Sequence, residues 1–295
     1  MRATLILGLL VASVGVPAPL PDTIQARIRD FPANVSLYAK NLETGVAVGV
    51  RESSPVRTAS TIKLPIMAAV FDAVAHGQAK WTQPLTLRAV DRVSGSSILA
   101  NETSDGLQLP LKEAVRLMIV VSDNTATNMI LDRFTADAVN AYLDRIGIRT
   151  TRALRKVRGD GPDLRATAGF SAAGNLPGNE KYGLGVSTPR DMVAILDRLE
   201  HGELVSRDAS REMIAVLKRC QDASGIRRRL SDLPVANKTG VLDALRSDVG
   251  IVYSKGGPIA MAITVDGMKV DYSPNNAGSL LIADLAKMLV DGLSR

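Results

Sequence analysis

The spacing of apolar residues changes twice along this chain, and these two changes constrain the fold more than any other feature. Apolar and polar residues alternate over 35–40 and again over 46–50, which predicts a hairpin of two strands. From about residue 60 to 220 the apolar residues recur at helical spacing. Strand spacing then returns in three segments after Pro234, and an amphipathic helix ends the chain. This order predicts one antiparallel sheet built from both chain ends.

The predicted fold class is α+β, with helices flanking the sheet and an all-α domain inserted between its strands. The expected boundaries are 22–58 together with 220–295 for the sheet-containing domain, and 59–219 for the helical domain. A chain of 295 residues is long enough to bury the core that such an arrangement needs. We expect the functional site at the interface of the two domains.

Residues 1–18 are expected to be a cleaved secretory signal peptide. Arg2 gives a positive start, residues 3–16 form an uncharged apolar run, and small residues and prolines follow. A membrane anchor is the alternative, but the run is shorter than the ~20 apolar residues that a membrane span requires. We therefore expect a periplasmic or secreted protein without a stable membrane span after cleavage.

Composition excludes several classes of protein. A single cysteine, Cys220, rules out a disulfide framework within the chain, and two histidines, His76 and His201, rule out a His-rich metal site. Aromatic residues make up 3% of the chain, too few for a base-stacking surface, and no nucleic-acid-binding motif accompanies the basic cluster 227–229. We expect a monomer with no metal, no cofactor and no nucleic-acid partner.

Three short motifs follow one another along the chain, and as a set they indicate nucleophilic catalysis. Each is weak by itself, because Ser60, Ser122 and Asp123 are also typical helix caps and Lys238 fits an exposed strand. Their order resembles that of class A β-lactamases and penicillin-binding proteins, and the residues of 121–128 and 248–253 are similar as well. The motifs are Ser60-Thr61-Ile62-Lys63, Ser122-Asp123-Asn124 and Lys238-Thr239-Gly240.

The first two motifs supply the expected catalytic groups. A serine hydroxyl becomes an effective nucleophile only when a base removes its proton. Ser60 and Lys63 are three residues apart and share one helix face, so Lys63 is the expected base if burial and Lys238 lower its pKa. The resemblance further implies that Ser122 passes a proton to the leaving nitrogen and that Asn124 holds Lys63 and the substrate amide.

The third motif supplies the expected binding groups. The resemblance implies that Lys238 and Thr239 bind a substrate carboxylate, with Arg246 as a helper. The backbone N–H groups of Ser60 and Val241 would stabilise the oxyanion. The full set of expected substrate-binding residues is Asn124, Lys238, Thr239, Gly240, Val241 and Arg246.

The resemblance is incomplete in one respect. Class A β-lactamases carry a glutamate, in a Glu-x-x-Leu-Asn setting, that activates the deacylating water. The corresponding stretch 152–188 contains one glutamate, Glu180, in a different setting. Asp160, Asp163 and Glu180 are therefore the candidate deacylation bases, with Lys63 itself as a further option. Asp160 and Asp163 are alternatively turn residues that pair with neighbouring arginines.

The resulting prediction is a secreted serine hydrolase that opens β-lactam amides through a Ser60 acyl-enzyme. Its expected partner is a small-molecule β-lactam or peptidoglycan-like substrate. The alternatives are a penicillin-binding D-Ala-D-Ala peptidase or an esterase on the same fold, and a non-catalytic binder of β-lactams or peptidoglycan fragments. A Ser-His-Asp triad is disfavoured, because His76 and His201 both precede glycines at expected helix ends and no Gly-x-Ser-x-Gly sequence occurs.

Overall fold

The computed structural model describes residues 19–159 and 169–294 of the chain. The strands are β1 (Asn34–Asn41), β2 (Ala47–Val50), β3 (Val56–Arg57), β4 (Pro84–Thr86), β5 (Gln108–Pro110), β6 (Arg152–Ala153), β7 (Gly185–Ser187), β8 (Val235–Leu242), β9 (Leu245–Ser254) and β10 (Gly257–Asp266). The helices are α1 (Leu20–Ile28), α2 (Lys63–Ala75), α3 (Ile98–Glu102), α4 (Leu111–Val120), α5 (Asn124–Phe134), α6 (Ala136–Arg145), α7 (Pro189–His201), α8 (Arg207–Lys218) and α9 (Ala277–Leu293).

A five-stranded antiparallel sheet, in the order β2-β1-β10-β9-β8, joins strands from both ends of the chain. Strand β1 pairs with β10 over its whole length, from Asn34 opposite Asp266 to Asn41 opposite Ile259. The predicted sheet is confirmed, and β8, which carries the third motif, forms one of its edges.

Apolar clusters cover both faces of this sheet. Along β10 the large residues Met261 and Ile263 belong to the cluster that includes α9, whereas Ala260 and Ala262 belong to the cluster of the helical block. This alternation follows from the two-residue period of a strand. The small alanines leave room for α7, which packs against β10. Large and small residues on opposite faces thus place the sheet between two layers of helices.

Most of the predicted helices form, and two details differ from expectation. The apolar spacing predicts a helix over 63–75, and α2 has these bounds. Thr188 caps α7 by accepting a hydrogen bond of 3.0 Å from the Asp191 N–H. The sequence predicts Asp22 or Thr23 as the cap of the first helix, but α1 begins at Leu20. The segment 59–219 is not entirely helical, because strands β4 to β7 lie within it. These strands are two or three residues long, too short to give a periodic sequence signal.

The cluster 227–229 is used to join elements of the fold. The Arg227 guanidinium donates to the backbone carbonyls of Lys218 and Val235, at 2.7 and 2.8 Å. Arg229 forms an ion pair with Asp284 on α9. These arginines therefore tie the segment before β8 to its neighbours.

Within the described residues, no helix has the length and apolar character needed to cross a membrane. The predicted signal peptide, residues 1–18, lies outside the described residues.

Candidate active site

Ser60 lies in a short 3-10 turn, Ala59–Ile62, immediately before α2. The Thr61 hydroxyl and backbone N–H both donate to the Thr58 carbonyl, at 2.8 and 3.1 Å. Ala59 adopts a φ of 46°, in the left-handed region that non-glycine residues rarely occupy. Such a conformation persists only where the surrounding structure enforces it. The residue before Ser60 is therefore held in one specific geometry.

The side chain of Lys63 connects the first motif to the second. Its Nζ lies 2.7 Å from the Ser122 carbonyl oxygen, 3.2 Å from the Ser122 Oγ and 2.9 Å from the Asn124 Oδ1. All three are neutral oxygens, and Lys63 is fully buried. The Ser122 hydroxyl accepts from a charged Lys63 and can instead donate to a neutral one. This contact is therefore compatible with either protonation state of Lys63.

The surroundings of Lys63 favour its neutral form. Burial lowers the pKa of the Lys63 ammonium well below its ordinary value, and the positive charge of Lys238 lowers it further, while Asp123 opposes the change. A neutral lysine has a free lone pair and can accept a proton. The hydroxyl that lies within hydrogen-bond distance of the Lys63 Nζ is that of Ser122, at 3.2 Å.

The second motif is fixed by a helix cap and a strained residue. Asp123 is fully buried and caps α5, accepting hydrogen bonds from the Ala126 and Leu99 N–H groups at 2.8 and 3.0 Å. Ser122 has a φ of 57°, again in the left-handed region. This conformation and the cap let both the carbonyl and the hydroxyl of Ser122 reach Lys63.

Gly240 allows strand β8 to approach the Ser60 turn closely. A Cβ atom on Gly240 would lie 2.6 Å from the Thr58 carbonyl oxygen and 3.2 Å from the Ser60 backbone nitrogen. The first distance is too short for any side chain unless the backbone shifts. The third residue of the Lys-Thr-Gly motif is thus required by the contact between the sheet edge and the Ser60 turn.

The register of β8 determines which of its backbone N–H groups are free of β9. The Tyr253 N–H donates to the Pro234 carbonyl at 3.0 Å, so Val235 and Val252 form a non-hydrogen-bonded pair. Alternation along the continuous ladder then turns the N–H groups of Thr239 and Val241 away from β9. The Val241 N–H is therefore on the side of β8 that faces the Ser60 turn.

Lys238 and Arg246 are not presented to solvent as free cations. Lys238 is fully buried, and its Nζ donates to the Thr239 carbonyl at 2.7 Å. The Arg246 guanidinium donates to the Leu242 and Leu245 carbonyls at 2.6 and 2.7 Å, and also to the carbonyl of Asp271. Arg246 is therefore engaged with backbone carbonyls around the β8–β9 turn.

An open pocket of about 480 Å³ lies between the second motif and the edge strand β8, a volume within the range of small-molecule sites. Lys63, Lys238 and Arg246 are buried and are not among the residues that line it. The residues that line the pocket are Ser60, Ser96, Val120, Val121, Ser122, Asn124, Cys220, Gln221, Asp222, Thr239 and Val241.

Of the candidate deacylation bases on the stretch 152–188, the structure describes Glu180 alone. Glu180 is exposed on a 3-10 turn whose next two residues, Lys181 and Tyr182, line a separate groove. Glu180 is not among the residues that line the pocket, and its role as a deacylation base stays a prediction. Asp160 and Asp163 lie outside the described residues.

Several pocket residues were missed by sequence reasoning. Ser96 and Asp222 lie in irregular segments outside the three motifs, and sequence gave no reason to place them at the pocket. The position of Cys220 at the end of an apolar helical segment predicts that it is buried. It is buried, and it also lines the pocket.

Asn128 on α5 holds Val157 through two hydrogen bonds. It follows Asn124 by one turn of α5, a spacing that sequence alone could have used. Its side chain donates to the Val157 carbonyl at 3.0 Å and accepts from the Val157 N–H at 2.9 Å. Asn140 on α6 holds Ala153 in the same two-bond manner, at 2.9 and 2.8 Å. Two amide clamps therefore fix the segment from β6 to Val157.

Replacing Asn128 with alanine is expected to lower the free energy of unfolding by about 2 kcal/mol, because both backbone groups of Val157 lose their partner. Asn140→Ala is the matched comparison, since it breaks the same pair of bonds at Ala153, and a similar loss is expected. Urea denaturation of both variants measures the two losses. An unchanged stability for Asn128→Ala alone would show that Val157 is not held by this clamp.

Comparison with known proteins identifies the family. The sequence matches the Beta-lactamase enzyme family over residues 19–293. It is 27% identical to a β-lactamase of Amycolatopsis lactamdurans over 287 residues, covering 94% of this chain and 86% of that protein. It is 23% identical to the β-lactamase regulatory protein BlaB of Streptomyces cacaoi, covering 88% and 92% of the two chains.

Solved structures agree with this result. A β-lactamase from Sphaerobacter thermophilus superposes with a TM-score of 0.79 at 27% identity, covering 93% of this chain and 96% of the other. A mutant of PBP-A, solved as an acyl-enzyme complex with penicillin G, gives 0.77 at 26% identity, covering 92% and 95%. The predicted fold class and the family resemblance are confirmed. The chain belongs to the Beta-lactamase enzyme family, whose β-lactamase members are hydrolases of β-lactams.

Proposed function

We propose that this chain is a serine hydrolase that opens β-lactam amides through a covalent acyl-enzyme at Ser60. The observation that carries the proposal is the environment of Lys63, which is buried three residues after Ser60. Its Nζ is hydrogen-bonded to Ser122 and Asn124. Ser60, Ser122 and Asn124 all line one pocket. A nucleophile, a base of lowered pKa and a second hydroxyl are thus in adjacent positions.

In the proposed acylation, neutral Lys63 takes the Ser60 proton as Oγ bonds to the lactam carbonyl carbon. The carbonyl oxygen becomes an oxyanion that accepts from the N–H groups of Ser60 and Val241. The C–N bond then breaks as the Ser122 hydroxyl protonates the lactam nitrogen, and the Lys63 ammonium returns a proton to Ser122. The products are an ester on Ser60 and a neutral Lys63, so no proton is gained or lost.

Deacylation is proposed to be slow. Water attack on the ester needs a base, and Asp222 is the one carboxylate among the described residues that line the pocket. The Asp222 carboxylate accepts a hydrogen bond of 2.9 Å from the Ser224 N–H, and its pKa is lowered, which makes it a weak base. Losing a general base typically lowers a rate by about 10²–10⁴-fold. Lys63 remains available as the base for this step, and Asp160 and Asp163 remain candidates.

Slow deacylation supports a second candidate function, a penicillin-binding D-Ala-D-Ala peptidase or esterase that β-lactams trap. The likeness to PBP-A, whose mutant was solved as an acyl-enzyme with penicillin G, favours it. Both candidate functions use the same acylation chemistry at Ser60. They differ in how fast water releases the acyl group.

We also propose that the chain is exported and acts as a monomer outside the cytoplasm. The charged start and apolar run of residues 1–18 support export. We further propose that residues 59–219 form a domain distinct from the sheet-containing domain. The position of the pocket supports this division, because residues from both segments line it.

The test is intact-protein mass spectrometry of the chain mixed with benzylpenicillin, sampled over time, with peptide mapping of the adduct. An adduct on the peptide that contains Ser60, appearing and then decaying, is the expected result for a β-lactamase. A persistent adduct would favour the penicillin-binding peptidase or esterase. Pre-hydrolysed benzylpenicillin is the matched control and should leave the protein mass unchanged. The proposal would be wrong if neither an adduct nor hydrolysed penicillin formed.

A further inference from the structure

A second pocket lies between α2, α4 and α8, and no residue of the three motifs lines it. Its floor is apolar, formed by Phe71 on α2, Val115 on α4 and Val216 on α8. Trp81 completes the floor, and its ring meets that of Phe71 edge to face, with the ring centres 4.6 Å apart. The Lys112 N–H donates to the Trp81 carbonyl at 3.1 Å, which holds the tryptophan backbone beside α4. The pocket therefore has a fixed aromatic floor.

The rim of this pocket carries more positive than negative charge. Lys112, Arg116 and Arg219 line it together with one carboxylate, that of Glu212. The Lys112 Nζ lies 3.3 Å from the Glu212 Oε2, and the Arg116 guanidinium lies 2.7 Å from the Glu113 Oε1. Arg219 is exposed and forms no ion pair with the residues that the structure describes. Its guanidinium is therefore available to an anion from solution.

Size and charge together define the ligand that fits this pocket. Its volume is about 200 Å³, below the range of sites for drug-sized molecules, so the ligand is small. A ring placed beside Trp81 can make the offset or edge-to-face contacts that aromatic pairs prefer. A carboxylate can accept two parallel hydrogen bonds from the Arg219 guanidinium. A small aromatic carboxylate thus suits both the floor and the rim.

We propose that this pocket is a second ligand site, which binds a small aromatic carboxylate with its ring against Trp81 and its carboxylate at Arg219. Among the described residues, none lines both this pocket and the one at Ser60. The proposal goes beyond the proposed function and does not depend on the acylation of Ser60.

The probe is 3-phenylpropionate, titrated into the protein and followed by ligand-detected NMR and by tryptophan fluorescence. Trp81 is the only tryptophan of the chain, so the fluorescence reports on this pocket. We expect a dissociation constant of about 1 mM, typical of a ligand of this size. The uncharged 3-phenylpropanamide has the same shape and should bind about fivefold more weakly, the effect of one partly exposed ion pair. Added salt should weaken the binding of the acid and leave that of the amide unchanged.

Three variants test where the probe binds. Arg219→Gln removes the charge and should weaken the binding of the acid about fivefold without changing that of the amide. Arg211→Gln, at an exposed position of α8 outside the pocket, is the matched control and should behave like wild type. Ala215→Leu places a larger side chain at an exposed position that lines the pocket and should abolish the binding of both compounds.

Loss of binding in Ala215→Leu, together with a weakened acid in Arg219→Gln, supports the proposal, provided that both variants melt like wild type. Binding that is unchanged in Ala215→Leu would place the probe elsewhere and refute it. Equal affinities of wild type for the acid and the amide would refute it as well. So would the absence of both the NMR and the fluorescence signal up to the solubility limit of the acid. None of these results bears on the proposed acylation of Ser60, which is measured separately by its mass adduct.

Discussion

Ser60→Ala is expected to abolish the covalent adduct with benzylpenicillin and to lower any hydrolysis by at least about 10³-fold, as expected when a nucleophile is removed. Alanine has no hydroxyl to form the ester, and the turn that holds Ser60 is built from the contacts of Thr61 with Thr58. The variant should therefore fold like wild type. Intact mass, product formation and thermal melting measured on the same samples test each part of this prediction.

The matched control for this change is Ser231→Ala, which removes the same atoms from an exposed serine outside the pocket. It should acylate like wild type. If the Ser60→Ala variant still formed an adduct, the nucleophile would be a different residue. Peptide mapping would then locate it, with Ser122 as the first candidate.

Lys63→Met should lower the rate of acylation by about 10²–10⁴-fold, the range associated with loss of a general base. Methionine fills a similar volume but cannot accept the Ser60 proton. Lys63 is fully buried in surroundings that favour its neutral form, so an uncharged side chain of similar volume suits this position. We therefore expect a folded protein that acylates slowly. Acylation near the wild-type rate would show that Lys63 is not the base.

The pH dependence of acylation gives an independent test of this base. Acylation needs neutral Lys63, so the rate rises with pH through the lowered pKa of Lys63 and then levels off. The charge of Lys238 contributes to that lowering. Lys238→Met should therefore raise the pKa of Lys63 and move the rising part of the profile to higher pH. Lys255→Met, an exposed site, should leave it in place. An unmoved profile in the Lys238 variant would contradict the electrostatic coupling of the two lysines.

Sequence periodicity predicted the sheet and the main helices, because each of these has a local signal. The convergence of the three motifs on one site was implied by the family resemblance instead. Pro65 illustrates the limit of such signals. It looks disruptive if the helix starts at Ser60, but α2 starts at Lys63, so Pro65 lies in the first turn, where no intrahelical N–H bond is required.

Charge placement in the pocket could not be predicted in the same way. Asp222 reaches the pocket from an irregular segment after α8, and Arg246 is turned to carbonyls around the β8–β9 turn. The positions of both side chains depend on tertiary contacts between segments that have no periodic sequence pattern. The structure of the stretch 152–188 could not be predicted from periodicity either, because its described strands, β6 and β7, are too short to give a repeating pattern.

The pairing of β1 with β10 has a consequence for how the protein acquires its shape. These strands come from opposite ends of the chain and are neighbours near the middle of the sheet. Closing so long a loop is entropically unfavourable until many later contacts form, so folding is expected to be slow. A nascent chain that has not yet produced β8 to β10 lacks the strand that faces Ser60. Catalytic competence therefore arises only late in biosynthesis, after nearly the whole chain has been made.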